Sequence, residues 1–210
     1  MTRLRDRFAA LAGRLGAAAG DPPAVADSLL AAWGQPARHY HGLEHLADCL
    51  ARLDEAPGSA AEHDVIAAAL WFHDAVYDPR TDDNEERSAA WAMHALQTLG
   101  VPSEVCADVA RLVLLTRHDS APRDAAGRLL CDIDLSILGR PQAEFDQYDR
   151  QIRAEYAWVP DEAYRVGRRR VLQAFLERRP LFQTEYFRRR YEAAARANLE
   201  RAVAALGSAA

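Results

Sequence analysis

The chain has 210 residues, half of them apolar, and a formal net charge of −5 at neutral pH. That is enough to bury a full core in one domain or a domain with an appendage, and it excludes the disordered class. No apolar run approaches the roughly 20 residues of a membrane span, the arginine-studded start "MTRLRDRFAALAGRLGAAAGD" lacks the pattern of a secretory leader, and the acidic balance argues against general nucleic-acid binding, so the expectation is a cytoplasmic protein partnered by neither membrane nor nucleic acid.

Apolar residues recur at three and four positions through an alanine- and leucine-rich sequence without a convincing strand, so the expected fold class is all-α. In chain order the spacing predicts helices over about 3–17, 22–33, 42–55, 60–77, 82–99, 102–118, 141–157, 161–178 and 184–206. Asp21 is positioned to cap the second, with Pro22 and Pro23 in its first turn. Breakers fall between the helices, among them "APGS" at 56, "DPRTDD" at 78, "SAPRDAAG" at 120 and "GRP" at 139. With no internal repeat or long linker, residues 1–210 read as a single helical domain. Its site-bearing core is expected at about 38–140, followed by arginine-rich helices over about 141–207.

Charge is unevenly spread: residues 1–150 hold 14 Arg against 24 Asp and Glu, and residues 151–210 hold 12 Arg against 7. All 26 cations are arginine, which excludes lysine nucleophiles and Schiff bases. Cys49, Cys106 and Cys131 have no CxxC spacing and read as buried small hydrophobes.

Chemistry is concentrated in three fragments. In "RHYHGLEH" His41 and His45 are four apart, so a helix that included the turn before residue 42 would project both imidazoles from about the same side. Two histidines make a poor metal site, and further ligands must come from elsewhere. Of three His-Asp pairs, His63-Asp64 falls in a polar first turn, where capping and exposure are the ordinary readings, and His118-Asp119 at a helix end, where a cationic His is also at home. His73-Asp74 interrupts the apolar run "VIAAALWFHDAVY", where burial is costly unless both groups are paired, and a metal ion would satisfy both. The fragment "LLCDIDLSILG" sets Asp132 and Asp134 among apolar residues; alone they would read as helix caps. Together the three fragments converge on one divalent cation.

The order His45, His73-Asp74, Asp134 resembles the H…HD…D signature of the HD superfamily of metal-dependent phosphohydrolases. "YHGLEH" resembles the "YHNxxH" of cyclic-nucleotide phosphodiesterases, and "IDLS" their "ADLS", which favours Asp134 over Asp132. The set "RHYHGLEHL", "WFHDAVYD", "DNEERSA", "LLTRHD", "DIDLSILG" and "IRAEY...Y..GR...L..FLER" is similar to small stand-alone bacterial HD phosphohydrolases over about residues 30–200. The resemblance implies an all-helical HD bundle in which His45, His73, Asp74 and Asp134 hold a divalent ion, its identity open among Mn, Fe, Ni, Co, Zn and Mg. It supplies no substrate.

For hydrolysis on such a centre, Arg38 and Arg117 are candidate phosphate clamps, because a guanidinium presents a planar fork to phosphate oxygens. His41 is the candidate proton donor. His118 is a candidate ligand of phosphate or a second metal, and Asp78 and Glu85 of the attacking water; both acids also read as ordinary loop or first-turn carboxylates. The arginine-rich tail reads mainly as solvated helix faces, with Tyr156, Tyr164 or Arg168 as candidates to hold an anionic substrate. His39 and His94 receive no role. The expected function is a phosphohydrolase of a small phosphorylated metabolite, a nucleotide first. An alarmone pyrophosphohydrolase and a non-catalytic helical module that binds metal or nucleotide are the alternatives. The oligomeric state stays open, a homo-oligomer included.

Overall fold

A computed structural model describes residues 2–207. Among them are ten α-helices and no strand: α1 Thr2–Arg14, α2 Pro22–Trp33, α3 Leu43–Glu55, α4 Ala60–Phe72, α5 Asn84–Thr98, α6 Ser103–Leu114, α7 Ala125–Asp134, α8 Gln142–Glu155, α9 Asp161–Glu177 and α10 Glu185–Gly207. Two 3-10 turns, Leu115–Arg117 and Leu135–Gly139, extend α6 and α7. The chain divides into two compact units between Cys131 and Asp132, inside the last turn of α7.

The first unit is organised around α4, which packs against α1, α3, α5 and α6. Every residue from Ile66 to Phe72 is buried. A helix apolar on all sides has to lie at the centre, since no face of it can be left to water. Trp71 and Phe72 meet Phe8 of α1 edge-on at 5.2 and 6.2 Å, and Trp33 of α2 donates its indole N–H to the Trp71 carbonyl at 2.9 Å. Each large side chain fully buried here contributes about 1.5–3 kcal/mol. Asp21 caps α2 by accepting from Ala24 N at 3.1 Å, with prolines in the first two positions. Ser59 does the same for α4 through Glu62 N.

Three boundaries depart from the sequence reading. Helix α4 stops at Phe72, not near 77, because side chains from elsewhere engage the backbone of the next residues: Arg38 takes the carbonyls of Asp74 and Ala75, and Ser88 of α5 the N–H of Val76. Helix α6 gives way to its 3-10 turn at Leu115, and His118 closes that turn with φ 57°, in the left-handed region. Helix α7 begins within the breaker at 120 and occupies a stretch for which the spacing predicted no helix. Asp124 caps it, accepting from Gly127 N at 2.7 Å, and Gly127 permits a close approach, since a Cβ there would sit 2.7 Å from Leu115 Cδ1.

In the second unit α10 packs against α9 and against the 3-10 turn Leu135–Gly139, which also meets α8. Phe145, Leu172, Phe182, Phe187 and Leu199 are its buried apolar centre. Asn198 ties α10 to that turn by donating to the carbonyls of Leu138 and Arg140 at 3.0 and 2.9 Å. No helix of the described residues is long and apolar enough to cross a membrane.

Candidate metal centre

Ligand-capable atoms of His45, Cys49, His73 and Asp134 lie within 4.8 Å of one another; the first three residues are buried and Asp134 is half-buried. They could hold a metal ion. His45 and Cys49 stand one turn apart on α3, His73 caps the C-terminal end of α4, and Asp134 is the last residue of α7. His45 Nε2 and His73 Nε2 are 3.2 Å apart. Asp74 Oδ2 is 3.1 Å from His73 Nε2 and 3.8 Å from His45 Nε2.

The orientation of His73 is fixed by the helix that carries it. Its Nδ1 lies 2.9 Å from the Leu70 carbonyl, an acceptor only, so Nδ1 carries the proton and donates. In the neutral ring that turns the Nε2 lone pair toward His45 and Asp74, the arrangement in which a metal-binding histidine is normally held. Two donor atoms each about 2.1 Å from one ion, at tetrahedral or octahedral angles, stand roughly 3 to 3.5 Å apart. The His–His and His73–Asp74 spacings are of that size, so the residues present fit a divalent cation.

Cys49 is the residue of the group that sequence reading passed over as a packing residue; its position four after His45 on a helix was the signal available. Its Sγ is 3.7 Å from His45 Nδ1 and 3.8 Å from Nε2. A sulfur sharing an ion with Nε2 would stand well farther from Nδ1, which faces the other way, than from Nε2. Near-equal distances set the thiol beside the ring instead, and Asp74 Oδ2 is the better third donor to the two imidazoles.

Asp132 has different work. It is 1 % exposed and accepts from the N–H groups of Gln183 and Thr184, both at 2.7 Å, and from the Thr184 hydroxyl at 2.6 Å. Burial pushes its carboxyl above the ordinary range, against the opposing bonds from Thr184 and Gln183. Two residues apart on a helix, Asp132 and Asp134 leave on opposite sides, which separates an anchor for the segment before α10 from a candidate ligand.

His41 lies before α3, which begins at Leu43, so it is not one helical turn below His45 as the spacing suggested. Its ring stacks on Tyr77 at 4.2 Å and stands 6.0 Å from the His45 ring. Arg38, expected as a phosphate clamp, is 9 % exposed and donates to the carbonyls of Asp74, Ala75 and His41. Arg117 is exposed and pairs with Glu86 and Asp119. Asp78 accepts from Arg80 N at 3.0 Å, while its own N–H and carbonyl are held by Asn84. Glu85, in the first turn of α5, is half-buried. Burial raises its carboxyl above the ordinary value; its own backbone N–H opposes this, and the charge of Asp74 adds to it.

His118 is half-buried at the left-handed end of its turn and is not one of the four clustered residues. His63-Asp64 differs from the capping and exposure expected of it. Asp64 pairs with Arg14 at 2.9 Å, and the His63 ring rests against Gly58, where a Cβ would sit 2.2 Å from Nε2. Among the described residues His63 belongs to no group that could hold a metal.

In the second unit Arg168 is 8 % exposed, pairs with Asp149 at 2.9 Å and lies over the Tyr148 ring. Burial works against its charge, but Tyr148 and Asp149 outweigh burial and keep the guanidinium above its usual pKa. Burial also pushes Tyr164 up to about 12. Tyr156 ends α8, stacked with the exposed Trp158 at 6.4 Å. Arg168 is therefore a packed internal cation, unlike the solvated arginines expected along this tail.

Compared with known proteins, the chain matches no protein-family model, and no curated protein or solved structure matches it at a significant level.

Proposed function

We propose that this chain is a metal-dependent phosphohydrolase of the HD type acting on a small phosphorylated metabolite, a nucleotide first. The observation that carries the reading is the pair of imidazole Nε2 atoms 3.2 Å apart with the Asp74 carboxylate within 3.8 Å of both. The chain order His45, His73-Asp74, Asp134, which resembles the superfamily's signature, adds to it. His45, His73, Asp74 and Asp134 are assigned as ligands. A divalent ion held by two neutral imidazoles and two carboxylates supplies a water of lowered pKa and a polarised phosphate oxygen.

The remaining roles belong to the chain's own groups. His41, set by its stack on Tyr77, donates a proton to the leaving oxygen. Glu85, half-buried within the field of Asp74, orients the attacking water. Arg117 and His118, on the turn after α6, receive the phosphate oxygens. Arg117 exchanges its exposed carboxylate partners for them at little cost, because such surface pairs contribute at most about 1 kcal/mol.

The test is phosphate release from nucleoside monophosphates, ppGpp-type pyrophosphates and sugar phosphates, using metal-free protein reloaded with single divalent ions. The expected result is release that requires an added ion and favours a nucleotide class. Stoichiometric metal uptake with no release from any substrate would assign the centre to a non-catalytic module, the reading that burial of three of the four clustered residues favours.

A further inference from the structure

The carbonyls of Asp74 and Ala75 fall just past the end of α4, where the helix provides no amide to meet them. They are met instead by a side chain from the α2–α3 connection. Arg38 donates through Nη1 to Asp74 O and, at 3.3 Å, to His41 O; through Nη2 to Ala75 O at 3.0 Å; and through Nε to Gln35 Oε1 at 3.2 Å. Its guanidinium lies 5.8 Å from the Trp33 ring centre and 5.7 Å from that of Tyr77, the ring on which His41 stacks. A cation at a helix C-terminus is also favoured by the dipole. From the other side α5 holds the same segment, through Ser88 on Val76 and Asn84 on Asp78.

We infer that Arg38 is a positioning residue of the metal centre: by gripping the main chain at Asp74, Ala75 and His41 at once, it sets the Asp74 carboxylate against the two imidazoles and fixes the loop that carries His41. This deepens the proposed function and rests on the cluster being a metal centre. The fork is what the task needs, since three carbonyls from two segments converge on one planar group. A lysine ammonium reaches them only as a point donor. Arg38 therefore acts on the centre through the backbone and does not receive phosphate.

The experiment titrates cobalt(II) into metal-free wild-type protein and into Arg38→Met, Arg38→Lys and Arg196→Met, following the visible absorption of the bound ion and the thermal midpoint. Arg196 is the control, because it too bonds main-chain carbonyls, those of Leu176 and Arg178, together with Glu192. Both Arg38 variants are expected to bind cobalt about 10- to 100-fold more weakly, the usual loss when a group supporting a ligand is removed, with an altered absorption band. Arg196→Met is expected to lower the thermal midpoint and leave cobalt binding as in wild type. Cobalt affinity and spectrum unchanged in Arg38→Met would overturn the inference; should that variant not fold, the same result in Arg38→Lys would do so. Unchanged cobalt binding with lost affinity for inorganic phosphate would make Arg38 a clamp, overturning it as well. A wild-type protein that takes up no cobalt would contradict the metal-centre reading itself, and the inference with it.

Discussion

Removing the Asp74 carboxylate takes away the anion that lies 3.1 and 3.8 Å from the Nε2 atoms of His73 and His45. Asp74→Ala is expected to lose bound metal and activity together while circular dichroism stays helical, because the apolar core around α4 does not depend on it. Full activity in a variant shown to lack metal would exclude the mechanism. His41 has a separable task. His41→Ala should keep its metal and turn over roughly 10² to 10⁴-fold more slowly on poor leaving groups, yet recover much of its relative rate on p-nitrophenyl phosphate, whose leaving group departs unprotonated. Equal losses on both esters would point to substrate positioning. The two aspartates of α7 divide in the same manner. Asp132→Ala leaves three half-buried donors without their acceptor and should cost about 1–3 kcal/mol in urea unfolding, with metal content unchanged, whereas Asp134→Ala should do the reverse. The spacing of the sequence made His45, His73 and the acidic pair legible as a group, since buried charge in an apolar run demands a partner. It could not reveal that Arg38 is used on carbonyls, because that depends on where α4 stops.

At the scale of elements, the end of α4 shows why. The run "VIAAALWFHDAVY" is helical by pattern throughout, and only tertiary donors, Arg38 and Ser88, stop it at Phe72. Helix α7 was hidden differently: Gly127 and the "SAPRD" before it read as a break, although the glycine serves close packing on Leu115 and Asp124 is an N-terminal cap. The turn after α7 offers a test of packing in the second unit. A Cβ on Gly139 would sit 2.5 Å from Tyr191 Cβ and 2.7 Å from its carbonyl oxygen, so Gly139→Ala should destabilise by about 1–3 kcal/mol, measured as a lower urea midpoint. Helix α10 carries a pH-dependent anchor. Burial would raise Glu192, but the N–H groups of Phe182 and Leu181 and the Arg196 guanidinium outweigh it and hold its carboxyl below the ordinary carboxylate range. A depressed carboxylate contributes stability that is present above its unfolded pKa and is lost as pH falls through the folded one. Wild type should therefore lose stability below about pH 4.5 more steeply than Glu192→Gln, and identical acid profiles would contradict the anchor.

For the whole molecule, the all-helical class followed from period and composition, while the division into two compact units within α7 did not, because no breaker stands at Cys131–Asp132, where the helix runs on to Asp134. The candidate ligands come from α3, from the end of α4 and from the end of α7, segments separated by 28 and about 60 positions. An ion that binds only their folded arrangement stabilises the native state, by about 2.7 kcal/mol when present at 100 times its dissociation constant. Chelation should thus lower the thermal midpoint and single divalent ions should restore it. The most direct measurement of the central claim is an anomalous-difference map from crystals grown with manganese or cobalt. One strong peak is expected, bounded by His45 Nε2, His73 Nε2 and the carboxylates of Asp74 and Asp134, each about 2.0–2.3 Å from it. No peak there, or a peak at His63 instead, would contradict that claim.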